Sequence, residues 1–244
     1  MTSAGATVQV YEIGEGADRP FIAMELLVGQ SLLSLWEVHR ARGRRLPYDL
    51  IAWIGARVAE ALDHAHGVRD PVTGALENVV HRDVNASNVL VTFDGRVKVI
   101  DFGLAKRRSQ NVLTAKGTLK GKVGYLSPEQ IDGRPPDRRA DIFALATTLW
   151  ELSTDRRLFL GDNDVDTVVR VSKCNVPDPH EFQPDYPDAL WTVVRRGLVR
   201  DVDARYPTAG EMARDLYAVA ASMERNVGPA MMAELMLELC ARWR

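Results

Sequence analysis

Two short motifs, in fixed order, constrain this chain more than anything else in it. The first is His81-Arg82-Asp83-Val84-Asn85-Ala86-Ser87-Asn88, where an Asp is followed five residues later by an Asn. Apolar β-type runs flank it, Val79-Val80 before and Val89-Leu90-Val91 after. A turn then leads to another such run, Val97-Lys98-Val99-Ile100, which delivers Asp101-Phe102-Gly103. Asp and Gly are ordinary turn residues, so Asp-Phe-Gly alone says little. The two motifs joined by strand–turn–strand say much more. They supply one carboxylate able to take a proton, and a second carboxylate with an amide oxygen, which are hard ligands for a cation such as Mg²⁺.

This pairing resembles the catalytic and metal-binding loops of protein kinases. The likeness continues in Tyr125-Leu126-Ser127-Pro128-Glu129, which resembles the family's Ala-Pro-Glu segment with Ser127 in place of Ala. Asp141-Ile142-Phe143-Ala144-Leu145 is similar to the buried helix that follows, and Arg205 stands where the family places the ion-pair partner of that Glu. The match runs from about Val8 to Leu216, and Gly121-Lys122 makes it most similar to bacterial Ser/Thr kinases of the myxobacterial kind. The resemblance implies an α+β, protein-kinase-like fold: a truncated small lobe, reduced to a β-hairpin, on a mainly helical large lobe. Residues 1–30 would be the small-lobe remnant and hinge, 31–224 the large lobe, and 225–244 a C-terminal amphipathic helix. The implied activity is transfer of the ATP γ-phosphate to Ser or Thr of a protein substrate, with ATP and Mg²⁺ as cofactors.

Carried over residue by residue, the resemblance makes Asp83 the catalytic base and gives Asn88 and Asp101 to Mg²⁺. Met24 would be the gatekeeper, Glu25 to Leu27 the hinge that binds adenine, and Leu90 the apolar floor beneath it. His81 would pack against Phe102, and Arg82 would suit a phosphate on the activation segment. Ser109, Thr114 and Thr118 lie in that basic segment, with the two threonines the better candidates for phosphorylation. Family members usually carry Lys where this chain has Asn85, and Thr where it has Lys122. In the family fold those positions approach one another, so Lys122 would supply from the opposite wall the ammonium that Asn85 cannot. The alternatives are that both positions have drifted, or that Lys122 is a solvated surface residue.

The largest departure lies upstream. Glu12-Ile13-Gly14-Glu15-Gly16 imitates the start of a Gly-rich phosphate loop, but position 19 is Arg where a third Gly is needed. Val8–Ile13 and Phe21–Leu27 instead read as a hairpin around an ordinary turn, with unfilled sheet edges that invite aggregation. No lysine precedes Lys98 in the chain, so the family's strand lysine has no counterpart here. A fragment with a late start, a decayed gene, and a kinase-like domain that no longer transfers phosphate all fit. The rival to the enzyme is therefore a non-catalytic pseudokinase that binds partners.

Helical periodicity marks Ser31–Arg42, a longer stretch from Pro47 to about Gly67 with Leu50, Ile51, Ile54, Val58 and Leu62 on one stripe, and Ile142–Leu152. His64 and His66 are two apart, poor geometry for sharing a metal on a helix, and read as cap or packing residues. Asp141 can cap its helix; the resemblance instead has it accept from the catalytic-loop backbone. Pro229–Trp243 carries Met231, Met232, Leu235, Met236 and Leu239 on one face, suited to an adaptable partner or dimer contact, or to packing on its own lobe.

With 244 residues, 46% of them hydrophobic, the chain can bury a full core. A formal charge of −2 gives no general affinity for nucleic acid or anionic membrane. Cys174 and Cys240 form no disulfide framework or metal spacing, no apolar run is long enough to span a bilayer, and no signal peptide opens the chain. A cytoplasmic setting follows.

Overall fold

A computed structural model describes residues 7–15, 20–102 and 122–240. Strands β1 (Val10–Glu15) and β2 (Pro20–Met24) form an antiparallel hairpin, with the register slipping between Val10 and Glu12. Apolar side chains on both of its faces, among them Tyr11, Phe21, Ile22 and Met24, are exposed. Strand β3 (Gly29–Ser31) leaves the hairpin and pairs with β4 (Val89–Thr92), which pairs in turn with β5 (Val97–Val99). A parallel bridge from Thr7 to Val99 joins the start of the chain to this second sheet. Val79-Val80 forms no strand: residues 77–80 run without ladder pairing into the catalytic-loop segment.

Helix α1 (Leu32–Ala41) starts where Ser31 accepts the Ser34 N–H at 3.1 Å, and it stops before Gly43, whose φ of +64° only Gly adopts freely. Helix α2 (Tyr48–His66) opens at Pro47, whose fixed φ and missing N–H suit a helix start. A four-residue helix, α3 (Pro128–Ile131), follows Ser127, which closes a reciprocal cap with Gln130. Helix α4 (Arg139–Thr154) is buried at every position from Ala140 onward. Its interior hydroxyls are satisfied locally, Thr147 bonding Phe143 O at 3.0 Å and Thr148 bonding Ala144 O at 2.9 Å. Helices α5 (Asp164–Lys173), α6 (Asp188–Gly197) and α7 (Ala209–Ala221) complete the lobe, with α2 packed on both α4 and α7.

Helix α8 (Pro229–Cys240) packs on its own lobe against β4: Met232 and Met236 are fully buried and Leu239 nearly so. The Met stripe thus takes the second of its two sequence readings. Its first turn lies on the β4–β5 turn, where Gly95 has φ +81° and a Cβ would come within 1.8 Å of Pro229 O. No helix among the described residues is long and apolar enough to cross a membrane.

Candidate functional site

The catalytic-loop segment is hung from one buried carboxylate. Asp141, in the first turn of α4, accepts the backbone N–H of His81 and the Nε2–H of His66 on Oδ2, and the N–H of Arg82 on Oδ1, each at 2.8 Å. It therefore serves the loop and does not cap its own helix, whose start at Arg138 has no side-chain cap. The bonds hold Arg82 at φ +65°, a left-handed conformation that costs a non-glycine residue of order 1–3 kcal/mol. His66, read from the sequence as a cap or packing residue, is one of the three donors.

Below that anchor His81 fixes both motifs. Its Nε2–H donates to Ile100 O at 2.9 Å, its Nδ1 accepts the Asp83 N–H at 3.3 Å, and its ring lies 4.5 Å from that of Phe102. A single imidazole thus ties the first loop to the strand end that presents Asp101. Asp101 is exposed and also has a left-handed φ, +59°.

Around Asp83 the polar groups converge. Asn88 Nδ2 donates to the Asp83 backbone carbonyl at 2.7 Å, which leaves its Oδ1 as a ligand atom. Asn85 Nδ2 donates to the same carbonyl at 3.0 Å and to Asp83 Oδ1 at 3.2 Å. Lys122, on the far side of the activation segment in sequence, reaches Asp83 Oδ2 at 2.7 Å. The structure therefore brings Asp83, Asn85, Asn88 and Lys122 together. Asn88 and Asp101 offer the hard-oxygen set that Mg²⁺ takes when phosphates and waters supply its remaining ligands, so a third protein ligand is not required. No group of three His, Cys, Asp or Glu side chains that could hold a metal ion occurs among the described residues.

The residues that the resemblance gives to the nucleotide lie on the run from β2 to β3 and on β4. Met24 is exposed, Leu27 half-buried, and Leu90 half-buried opposite Ser31 and Lys98. Glu25 is turned to Lys98, a contact that sequence reasoning missed. The buried Lys98 ammonium bonds Glu25 Oε1 at 2.5 Å and Thr7 O at 3.1 Å. That bond holds the Glu25 carboxyl below the usual carboxylate range. The signal was a charged residue alternating with Val97 and Val99 on a strand.

Glu129 and Arg205 form a buried bidentate pair, both bonds 2.9 Å, and Arg205 also donates to Val199 O at 2.7 Å. Burial opposes ionisation of Glu129, but the bonds and charge of Arg205 outweigh it and hold the carboxyl below its ordinary value. Tyr125 donates to Glu151 Oε2 at 2.7 Å, and Arg157 reaches the same oxygen at 2.9 Å. Burial pushes the Glu151 carboxyl upward. The residues from Gly103 to Gly121, including Ser109, Thr114 and Thr118, lie outside the described residues, as do Gly16 and Trp243.

A family profile described as the protein kinase domain matches residues 3–218. Tyrosine-protein kinase MasK of Myxococcus xanthus is 36% identical over 202 residues, which cover 83% of this chain and 31% of that protein. Serine/threonine-protein kinase PrkC of Bacillus subtilis is 31% identical over 209 residues, 86% of this chain and 30% of that protein. The chain thus spans about a third of the length of these relatives. Among solved structures, the kinase domain of PknI from Mycobacterium tuberculosis matches 89% of this chain and 72% of its own, with a TM-score of 0.64 and 26% identity.

Proposed function

The chain belongs to the protein kinase domain family, and from that premise we propose that it transfers the γ-phosphate of ATP to a Ser or Thr hydroxyl of a protein. The single observation that carries this reading is the convergence of Asn85, Asn88 and Lys122 on Asp83. In the proposed reaction the substrate hydroxyl lies against the Asp83 carboxylate, which orients it and takes its proton. The hydroxyl oxygen bonds to the γ-phosphorus as the bond to the β-phosphate oxygen breaks. Asn88 Oδ1 and Asp101 would hold Mg²⁺, which when bound would neutralise charge on the phosphates. Met24, Glu25 and Leu27 face adenine from the hinge, and Leu90 supports it from β4. Residues 1–30, 31–224 and 225–244 act as small-lobe remnant with hinge, large lobe and C-terminal helix.

Transfer by this chain alone is slow in this reading. No lysine precedes Lys98 in sequence, and Lys98 is buried and committed to Glu25, so it cannot hold phosphates from the small-lobe side. The same observation favours the second reading, a pseudokinase module that binds partners without transferring phosphate.

The two are separated by incubating the chain with Mg²⁺, γ-labelled ATP and a generic protein acceptor. The kinase incorporates label slowly on Ser and Thr, and Asp83→Ala abolishes it. Label confined to Tyr revises the acceptor to the class named for MasK. An acceptor left unlabelled by wild type establishes the binding module.

A further inference from the structure

We propose that Lys122 is the cation that contacts the transferring phosphate in this site, its ammonium bridging Asp83 and the γ-phosphate of bound ATP. The inference rests on the reading of the chain as an ATP-binding kinase domain and deepens it.

Three observations carry it. Asn85 is buried at 4% exposure and its carboxamide is fully engaged. Nδ2 serves the Asp83 carbonyl and carboxylate, while Oδ1 accepts the Ser87 N–H at 2.9 Å and the Ser87 hydroxyl. This side chain is a loop brace with nothing left to offer a phosphate. Second, a hydroxyl held by Asp83 for transfer must lie within about 3–3.5 Å of the phosphorus it attacks. An ammonium 2.7 Å from the Asp83 carboxylate therefore stands within about 9 Å of the transferring phosphorus, a gap that a turn of the flexible lysine stem can close. Third, Lys122 is 45% exposed and an ammonium carries three donors, of which the bond to Asp83 uses one. The buried Lys98 cannot compete for the role, because its ammonium is held by Glu25 and Thr7. A flexible four-carbon stem lets the charge follow the phosphate as it moves from donor to acceptor.

The test uses chemistry in place of turnover. An ATP analogue acylated on its terminal phosphate is added to the whole chain with Mg²⁺. A lysine amine beside that phosphate attacks the acyl carbonyl carbon; an amide forms, the carbonyl-to-phosphate C–O bond breaks, ATP leaves, and the amine proton passes to water. The chain's lysines are Lys98, Lys106, Lys116, Lys120, Lys122 and Lys173, so peptide mass spectrometry assigns the site directly.

Acylation is expected at Lys122, with at least tenfold suppression by excess Mg·ATP. Lys122→Arg should lose that adduct yet keep the Kd for a fluorescent ATP analogue within about threefold. Lys122→Met should weaken that Kd at least fivefold while leaving the thermal midpoint in place. ATP-protected acylation at another lysine, or Lys122→Met binding the analogue like wild type, overturns the role of Lys122 and leaves the ATP-binding reading standing. Absence of any ATP-protected adduct together with no binding of the analogue overturns both.

Discussion

Replacing Asp141 by Asn keeps the shape of the side chain and removes one acceptor, which isolates what the buried carboxylate contributes to the loop. The carboxylate takes three bonds of 2.8 Å, two on Oδ2 and one on Oδ1. The amide oxygen can occupy the Oδ2 position and keep the His81 and His66 bonds, but the NH₂ then faces the Arg82 N–H, donor against donor. That orphaned donor costs about 1–3 kcal/mol, and the two remaining bonds fall from charge-assisted to neutral strength, about 1 kcal/mol each. Release of Arg82 from its left-handed backbone returns about 1 kcal/mol. The net loss is about 3 kcal/mol. Equilibrium urea unfolding measures it globally, and amide hydrogen exchange at His81 and Arg82 measures it locally. Protection there should fall about 100-fold, two decades at 1.4 kcal/mol each. A loss below about 1 kcal/mol, with unchanged exchange at both amides, would refute the claim that the loop hangs from this carboxylate.

Arg205→Met leaves Glu129 buried without its partner and should cost about 3–5 kcal/mol; adding Glu129→Gln should restore a third or more of it in the same urea titration. The Glu129 carboxyl is held below its ordinary value in the folded chain, so its contribution is complete above the unfolded value of about 4.3 and disappears as pH falls through the folded one. Wild type should therefore lose more stability on acidification below about pH 4.3 than the double variant, and parallel acid profiles would count against the pair. Gly95→Ala puts a methyl group against Pro229 O in a left-handed backbone and should destabilise by at least about 2 kcal/mol. Trypsin should then cut faster at Arg225, just before α8; unchanged cleavage would mean the helix does not depend on that turn.

The parts of the site legible in the sequence were those where chemistry fixes both residue type and spacing. Asp83, Asn88 and Asp101 stood out as candidates because proton transfer and cation binding permit few side chains. Glu129 and Arg205 were paired by the resemblance, and that contact is present; the resemblance set Lys122 beside Asn85, whereas its ammonium bonds Asp83. Helices α1, α2, α4 and α8 declared themselves by apolar period and by Ser31, Pro47 and Pro229 at their starts. Val79-Val80 misled because β-branched residues report suitability for a sheet, and among the described residues no neighbouring strand pairs with them. His66 and Lys98 were undervalued for a related reason. Their partners lie 75 and 73 residues away in sequence, and no local pattern records a contact between such distant positions.

The hydrophobic core draws no buried residue from ahead of Leu32 among the described residues. The β1–β2 hairpin is thus a rider on a lobe whose cooperative unfolding it hardly enters. Opening it exposes little that is not already wet, so it belongs to the low-stability end of the molecule while the catalytic loop belongs to the high end. Substitutions at the exposed hairpin side chains Tyr11, Phe21, Ile22 and Met24 therefore carry little penalty in the stability of the lobe behind them, whereas Glu25 and Gly29 are tied to that lobe by the buried Lys98 ammonium and by the close approach of Val91 O. Those exposed hairpin positions can change while Asp83, Asn88 and Asp141 keep their places, and folding alone imposes little constraint on them.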